Sequence, residues 1–139
     1  MVIMVNKVNF DEVVDKGIAE YIKVPGSYTV KIKEVVRKQS KKGNDMDVYT
    51  LETRDGEGMF LRLALSEKSL FRYKEFIRAV RGLDARASVG EVDLDTFPET
   101  TVGKKIVIVV GKQAPVLNIE TGLQEESPYL EIKQILPVV

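Results

Sequence analysis

A mainly β fold, built as a small barrel around one helix, is the class this chain predicts, on three observations. Apolar and polar residues alternate through three consecutive runs between residues 27 and 64. One stretch, from Ser66 to Gly82, switches to a three-to-four spacing of apolar residues. Two further strand-like runs follow, with a glycine-containing tip at Thr121-Gly122 between them. A period of two turns one face to a core and the other to water, whereas three-to-four spacing is the mark of an amphipathic helix.

The elements follow in order. Phe10, Val13, Val14, Ile18 and Tyr21 predict a short amphipathic helix or turn begun at Asn9 or Asp11. Val24-Pro25-Gly26 then turns the chain. In the first strand, 27–37, Tyr28, Val30 and Ile32 alternate with Thr29, Lys31 and Lys33. The adjacent Val35 and Val36 break that alternation, which predicts a bulge near Glu34. The second strand, 45–53, carries Met46, Val48, Tyr49 and Leu51 with a similar phase shift. Asp55-Gly56-Glu57-Gly58 is a hairpin turn, and Met59, Leu61 and Leu63 then alternate with Phe60, Arg62 and Ala64 in a third strand.

Ser66 opens the helix and Gly82 closes it, with Leu70, Tyr73, Phe76, Ile77 and Val80 on the buried face. An acidic connector, 84–103, leads to a fourth strand, 104–110, apolar on both faces and therefore central. Residues 116–119 extend that strand past a kink, and 129–136 form the last strand. Three meandering strands, a helix and a closing hairpin match the OB-fold, a partly open five-stranded barrel. A two-layer α+β sheet has comparable content. The barrel is preferred because the first strand is long and bent and the lone helix falls between strands three and four.

At 139 residues the chain reads as one domain, 1–139, with 1–25 as an N-terminal extension packed on or beside the barrel. Such a chain buries about two-thirds of its unfolded surface and needs no disulfide or metal to fold. Cysteine and histidine are both absent. Their absence removes thiolate nucleophiles, zinc–thiolate sites and every histidine-based triad, leaving only carboxylates, lysines and tyrosines for chemistry. A non-enzymatic protein without cofactor or metal is therefore expected. The first five residues are apolar but lack a cleavage pattern, and the longest internal apolar run, 106–110, is too short to span a bilayer. No membrane partner is expected, and the expected location is the cytoplasm.

Charge is balanced overall, 21 basic against 21 acidic residues, but not locally. Between residues 31 and 42, Lys31, Lys33, Arg37, Lys38, Lys41 and Lys42 face the single acid Glu34. The Ser40-Lys41-Lys42-Gly43-Asn44-Asp45 turn stands at the centre of this excess. Lysines on a strand edge also serve to block aggregation. In an OB barrel, however, the first such loop and the second and third strands form the oligonucleotide face. Tyr49, Phe60 and Arg62 lie on those strands, and Lys112 begins the loop between strands four and five. Aromatic rings beside cations are what unpaired bases and phosphates require. Tyr49 fits a core position equally well, because the period shifts within its strand. The helix cations Lys68, Arg72, Lys74, Arg78 and Arg81 read as a solvated face. Asp45-x-Asp47 and Asp93-x-Asp95 lack the length and terminal glutamate of a calcium loop and read as surface acids.

Four pieces of the chain carry a family resemblance. They are Asn9-Phe10-Asp11, Pro25-Gly26-Ser27-Tyr28-Thr29-Val30, Ser40-Lys41-Lys42-Gly43-Asn44-Asp45-Met46 and Val102-Gly103-Lys104-Lys105, spanning residues 9 to about 110. In order and spacing they resemble a small family of phage and prophage single-stranded-DNA-binding proteins of replication–recombination gene clusters. The resemblance implies an OB-fold that coats single-stranded DNA without sequence preference, in host-cell cytoplasm if phage-encoded. It also implies a recombinase, helicase or polymerase as candidate protein partner, with a homodimer as candidate assembly. Two features depart from it. The last residues, Ile135-Leu136-Pro137-Val138-Val139, are not the acidic tail by which bacterial single-strand binders recruit partners, and the net charge is zero. The rival expectation is an OB-fold interaction module of a phage replication or virion assembly that does not touch nucleic acid.

Overall fold

The fold is seen in a computed structural model that describes residues 18, 20–39, 43–113, 116–117, 120, 122, 124–125 and 129–138. In chain order it comprises β1 (Glu20–Tyr21), β2 (Gly26–Gln39), β3 (Asp45–Thr53), β4 (Glu57–Ala64), a 3-10 turn (Glu67–Ser69), α1 (Leu70–Arg81), α2 (Phe97–Thr100), β5 (Lys105–Lys112), β6 (Val116–Leu117), β7 (Gln124–Glu125) and β8 (Leu130–Leu136). Six strands form one curled half-barrel sheet in the order β1-β4-β3-β2-β5-β8, and β6 pairs with β7 separately.

The alternation in β2 does what it predicts. Val30 and Ile32 are fully buried, and the register against β3 shifts between Ile32 and Glu34, where the two adjacent valines require a bulge. The second predicted phase shift does not exist. β3 pairs with β4 without interruption from Met46 to Glu52, which leaves Tyr49 and Leu51 on the core face. Val48 breaks the apparent period because it is buried on the outer face, flanked in register by Val36 and Arg62. β5 is central, between β2 and β8.

Tyr73, Phe76 and Ile77 of α1 enter the concave side and meet Tyr49, Ile106 and Ile108 in one core. Each such side chain contributes about 1.5–3 kcal/mol by burial. Gly82 ends the helix at φ 68°, and Leu83 N–H returns to the Arg78 carbonyl at 2.8 Å, a Schellman-type closure. Ser66 does not cap with its side chain; its carbonyl instead receives Ser69 N–H in the 3-10 turn. The acidic connector contains α2, whose Phe97 is buried against Phe76.

The predicted barrel is not closed by strand pairing, since β4 and β8 do not pair among the described residues. The helix occupies the seam instead. Arg72 donates to the carbonyls of Ile132 and Lys133, the latter at 3.2 Å, and Glu75 accepts Ile135 N–H at 2.8 Å. A side-chain pair of α1 thus satisfies β8 edge groups that a neighbouring strand would otherwise take.

At the opposite edge, β1 runs parallel to β4, with Tyr21 opposite Gly58. No local period announces this strand, and Tyr21 belongs to it rather than to the expected helix. The remainder of that expected helix, at Phe10, Val13 and Val14, lies outside the described residues. No helix among the described residues is long and apolar enough to cross a membrane.

Candidate nucleic-acid interface

The outer face of the β2–β3–β4–β1 part of the sheet gathers five of the ten residues singled out in the sequence, Lys31, Lys33, Lys38, Phe60 and Arg62. In β4 the core takes Leu61 and Leu63, so Phe60 and Arg62 stand on the outer face. The Arg62 guanidinium lies over the Phe60 ring, 5.5 Å from its centroid. On the other side of Phe60, the Tyr21 ring sits 6.1 Å away at an interplanar angle of 60°. Both contacts are of the kind that ring quadrupoles favour. Tyr21 is 52% exposed and Phe60 half-buried, so the trio Tyr21–Phe60–Arg62 presents aromatic surface to solvent with a cation at one end.

Two strands away, roughly 10 Å across the sheet, β2 supplies the cations. Lys31, Lys33 and Lys38 are all exposed. Lys31 is opposite Lys105 on β5 and Glu52 on β3, while Lys33 pairs with Glu52 at 3.6 Å between two half-exposed side chains. Such a pair contributes little and exchanges readily for another anion. Glu34 faces outward in the same row as Thr50 and Phe60, so the face is mixed, with the basic residues in excess.

Three candidates stand elsewhere. Tyr49 is completely buried, its ring 4.4 Å from that of Phe76, so it is a core tyrosine and does not stack bases. Arg37 follows the bulge and turns to the core side. Its Nε and Nη2 donate to Asp47 at 2.8 and 3.2 Å, its Nη1 donates to Asp95 at 2.8 Å, and Nη2 also donates to the Leu94 carbonyl. A guanidinium so occupied is a structural anchor rather than a phosphate contact. Lys112 is exposed at the end of β5, away from the Phe60 platform by strand order. Lys41 and Lys42 lie outside the described residues.

Asp47, read as a surface acid, is 1% exposed. Besides Arg37, it accepts the Tyr73 hydroxyl at 2.5 Å, and Tyr73 in turn shares a 2.5 Å hydrogen bond with Tyr49. Burial pushes both phenols well above the usual tyrosine range, and the Asp47 carboxylate raises Tyr73 further. Hydrogen bonding to Asp47 holds Arg37 firmly protonated. The network fixes β2, β3, α1 and the connector to one another, and a shallow cavity of about 220 Å3 lies beside Arg37, Asp47 and Asp95. Among the described residues, no group of acids is arranged to hold a metal ion.

The helix arginines are also engaged. Arg78 Nε donates to Ala87 O at 2.8 Å, and Arg81 donates to Val89 O while lying over Phe97. They fasten the connector to α1; Lys68, Lys74 and Arg81 are exposed as expected of a solvated face, whereas Arg72 and Arg78 are half-buried. Tyr21 is a functional candidate that sequence reasoning misses. Its only local signal is an aromatic residue close to the turn at Pro25-Gly26, and periodicity cannot resolve a strand of two residues. Compared with models of known protein families and with curated proteins, the chain matches none.

Proposed function

We propose that this protein binds single-stranded DNA without sequence preference and without catalysis, in DNA replication or recombination of a phage or prophage. The observation that carries the reading is the exposed Tyr21–Phe60–Arg62 platform beside the β2 lysines on one sheet face. Bases stack on the rings irrespective of identity, and Lys31, Lys33 and Lys38 neutralise phosphates. The OB-type reading of the fold is supported by the strand order β4-β3-β2-β5-β8 with a helix inserted between β4 and β5. On this reading α1 replaces the closing strand pair. The lack of cysteine and histidine supports a binding rather than a catalytic role. A cytoplasmic location and a recombinase, helicase or polymerase partner follow from the family resemblance alone.

A second reading, a protein-interaction module, draws on the same face, where Val36 is 40% exposed beside outward-facing Glu34. Gel binding to oligo-dT and to duplex across salt separates the two. With about four cations engaged, the log–log salt slope for oligo-dT is about −2.8. Affinity then falls about fiftyfold between about 50 and 200 mM salt. Lys38→Glu lowers the slope by about 0.7 in a folded protein. Equal binding to duplex rejects the single-strand reading, and absence of binding, or binding indifferent to salt, favours the module.

A further inference from the structure

Resting on the single-strand reading, we infer that the bound strand continues from the Phe60 platform across the open seam between β4 and β8, with Phe71 as a second stacking station. Where the barrel fails to close, a cleft of about 420 Å3 runs between the end of β4, the first turn of α1 and β8. Arg62 lines it while lying over Phe60, so platform and cleft share a wall and form one continuous surface. Phe71 stands on the cleft at 73% exposure, the most exposed large apolar side chain among the described residues.

Packing does not account for Phe71, because the helix already turns Tyr73, Phe76 and Ile77 inward. A base stacked on it would cover the ring. The cleft walls also suit an anionic chain. Arg62, Arg72 and Lys133 outnumber the one acid, Glu131. Arg72 is held by β8 carbonyls and shapes the floor. Lys133 pairs with Glu131 at 2.5 Å on the surface, and such pairs re-form with a phosphate at little cost. The strand therefore runs from Tyr21 through Phe60 and Arg62 to Phe71, with Lys133 contacting phosphate on the far wall.

The chain has no tryptophan, so Phe71→Trp introduces a sole indole at an exposed position that tolerates it. Saturating oligo-dT should quench the emission of that variant. In parallel, Phe71→Ala should lose roughly tenfold in affinity for long oligo-dT, and little for oligomers too short to reach the seam. If long oligo-dT binds Phe71→Ala as it binds the wild type, and leaves the indole emission of Phe71→Trp unchanged, the seam path is wrong. The platform reading then still stands, provided Phe60→Ala weakens binding. If the wild type binds no oligo-dT by gel shift at low salt, the platform reading fails and the seam path with it.

Discussion

Arg37 and Asp47, directly opposite each other on β2 and β3, form a two-pronged ion pair that is sealed from below by Tyr73 and tied from above to Asp95. The arginine reaches this position only because the bulge after Ile32 reverses which side chains of β2 face the core. One extra residue in a strand thus divides the basic run: Lys31, Lys33 and Lys38 face outward, and Arg37 serves the fold.

Arg37→Lys should therefore lower stability and leave the salt slope of DNA binding unchanged. The ammonium keeps the charge but loses the fork that holds Asp47, Asp95 and Leu94 together. Losing one partner of a fully buried pair costs about 3–5 kcal/mol; Arg37 is one-third exposed, so Arg37→Ala should cost about 2 kcal/mol. Urea unfolding measures this. An unchanged midpoint in Arg37→Lys, or a salt slope reduced by about 0.7 in Arg37→Ala, would return Arg37 to the phosphate contacts.

The same network predicts alkaline sensitivity. Burial raises Tyr49 and Tyr73 above their unfolded value of about 10. Below that pH both states hold the protons and the contribution is complete. Above it the unfolded chain ionises first, so stability falls by up to about 1.4 kcal/mol per pH unit for each tyrosine until the folded pKa is reached. Tyr73→Phe should cost about 1–3 kcal/mol at neutral pH by leaving the Asp47 oxygen without its hydroxyl. It should also flatten the decline above about pH 10, as unfolding midpoints at about pH 9 and 11 would reveal.

Gly58 lies beneath the N-terminal segment. A Cβ there would meet the Leu51 carbonyl at 2.8 Å and Ile18 Cγ2 at 2.9 Å. The carbonyl belongs to the β3 ladder, so β4 must shift at residue 58, and the second clash pushes the Ile18 segment away from β4. Gly58→Ala should cost about 1–3 kcal/mol and displace Tyr21 from Phe60. Oligo-dT affinity should fall with it, measured at a temperature where the variant remains folded. A variant of wild-type affinity would remove Tyr21 from the platform.

Much of the fold is legible in local pattern, and the exceptions have physical causes. The long strand, its bulge and the helix stop at Gly82 follow from side-chain period and one left-handed glycine. Phe60 and Arg62 fall to the outer face in sequence and structure alike, because Leu61 and Leu63 leave them no alternative. Val48 obscures the period of β3, since an outer-face valine buried by its neighbours mimics a core residue. Arg37 is harder still, because its partner Asp95 is distant in sequence and no local rule links them. β1 is hidden for the same reason: its parallel partner is β4, across more than one turn of the chain. The side-chain closure of the seam by Arg72 and Glu75 is likewise a tertiary substitution, which periodicity cannot express.

The role of the outer face rests on Phe60, and the affinity of wild type and Phe60→Ala for oligo-dT, measured side by side with duplex at low salt, tests it most directly. The wild type should prefer oligo-dT over duplex, and the alanine variant, still folded, should lose about tenfold or more on oligo-dT as its base-stacking surface disappears. Equal affinity of the two proteins for oligo-dT would contradict the account.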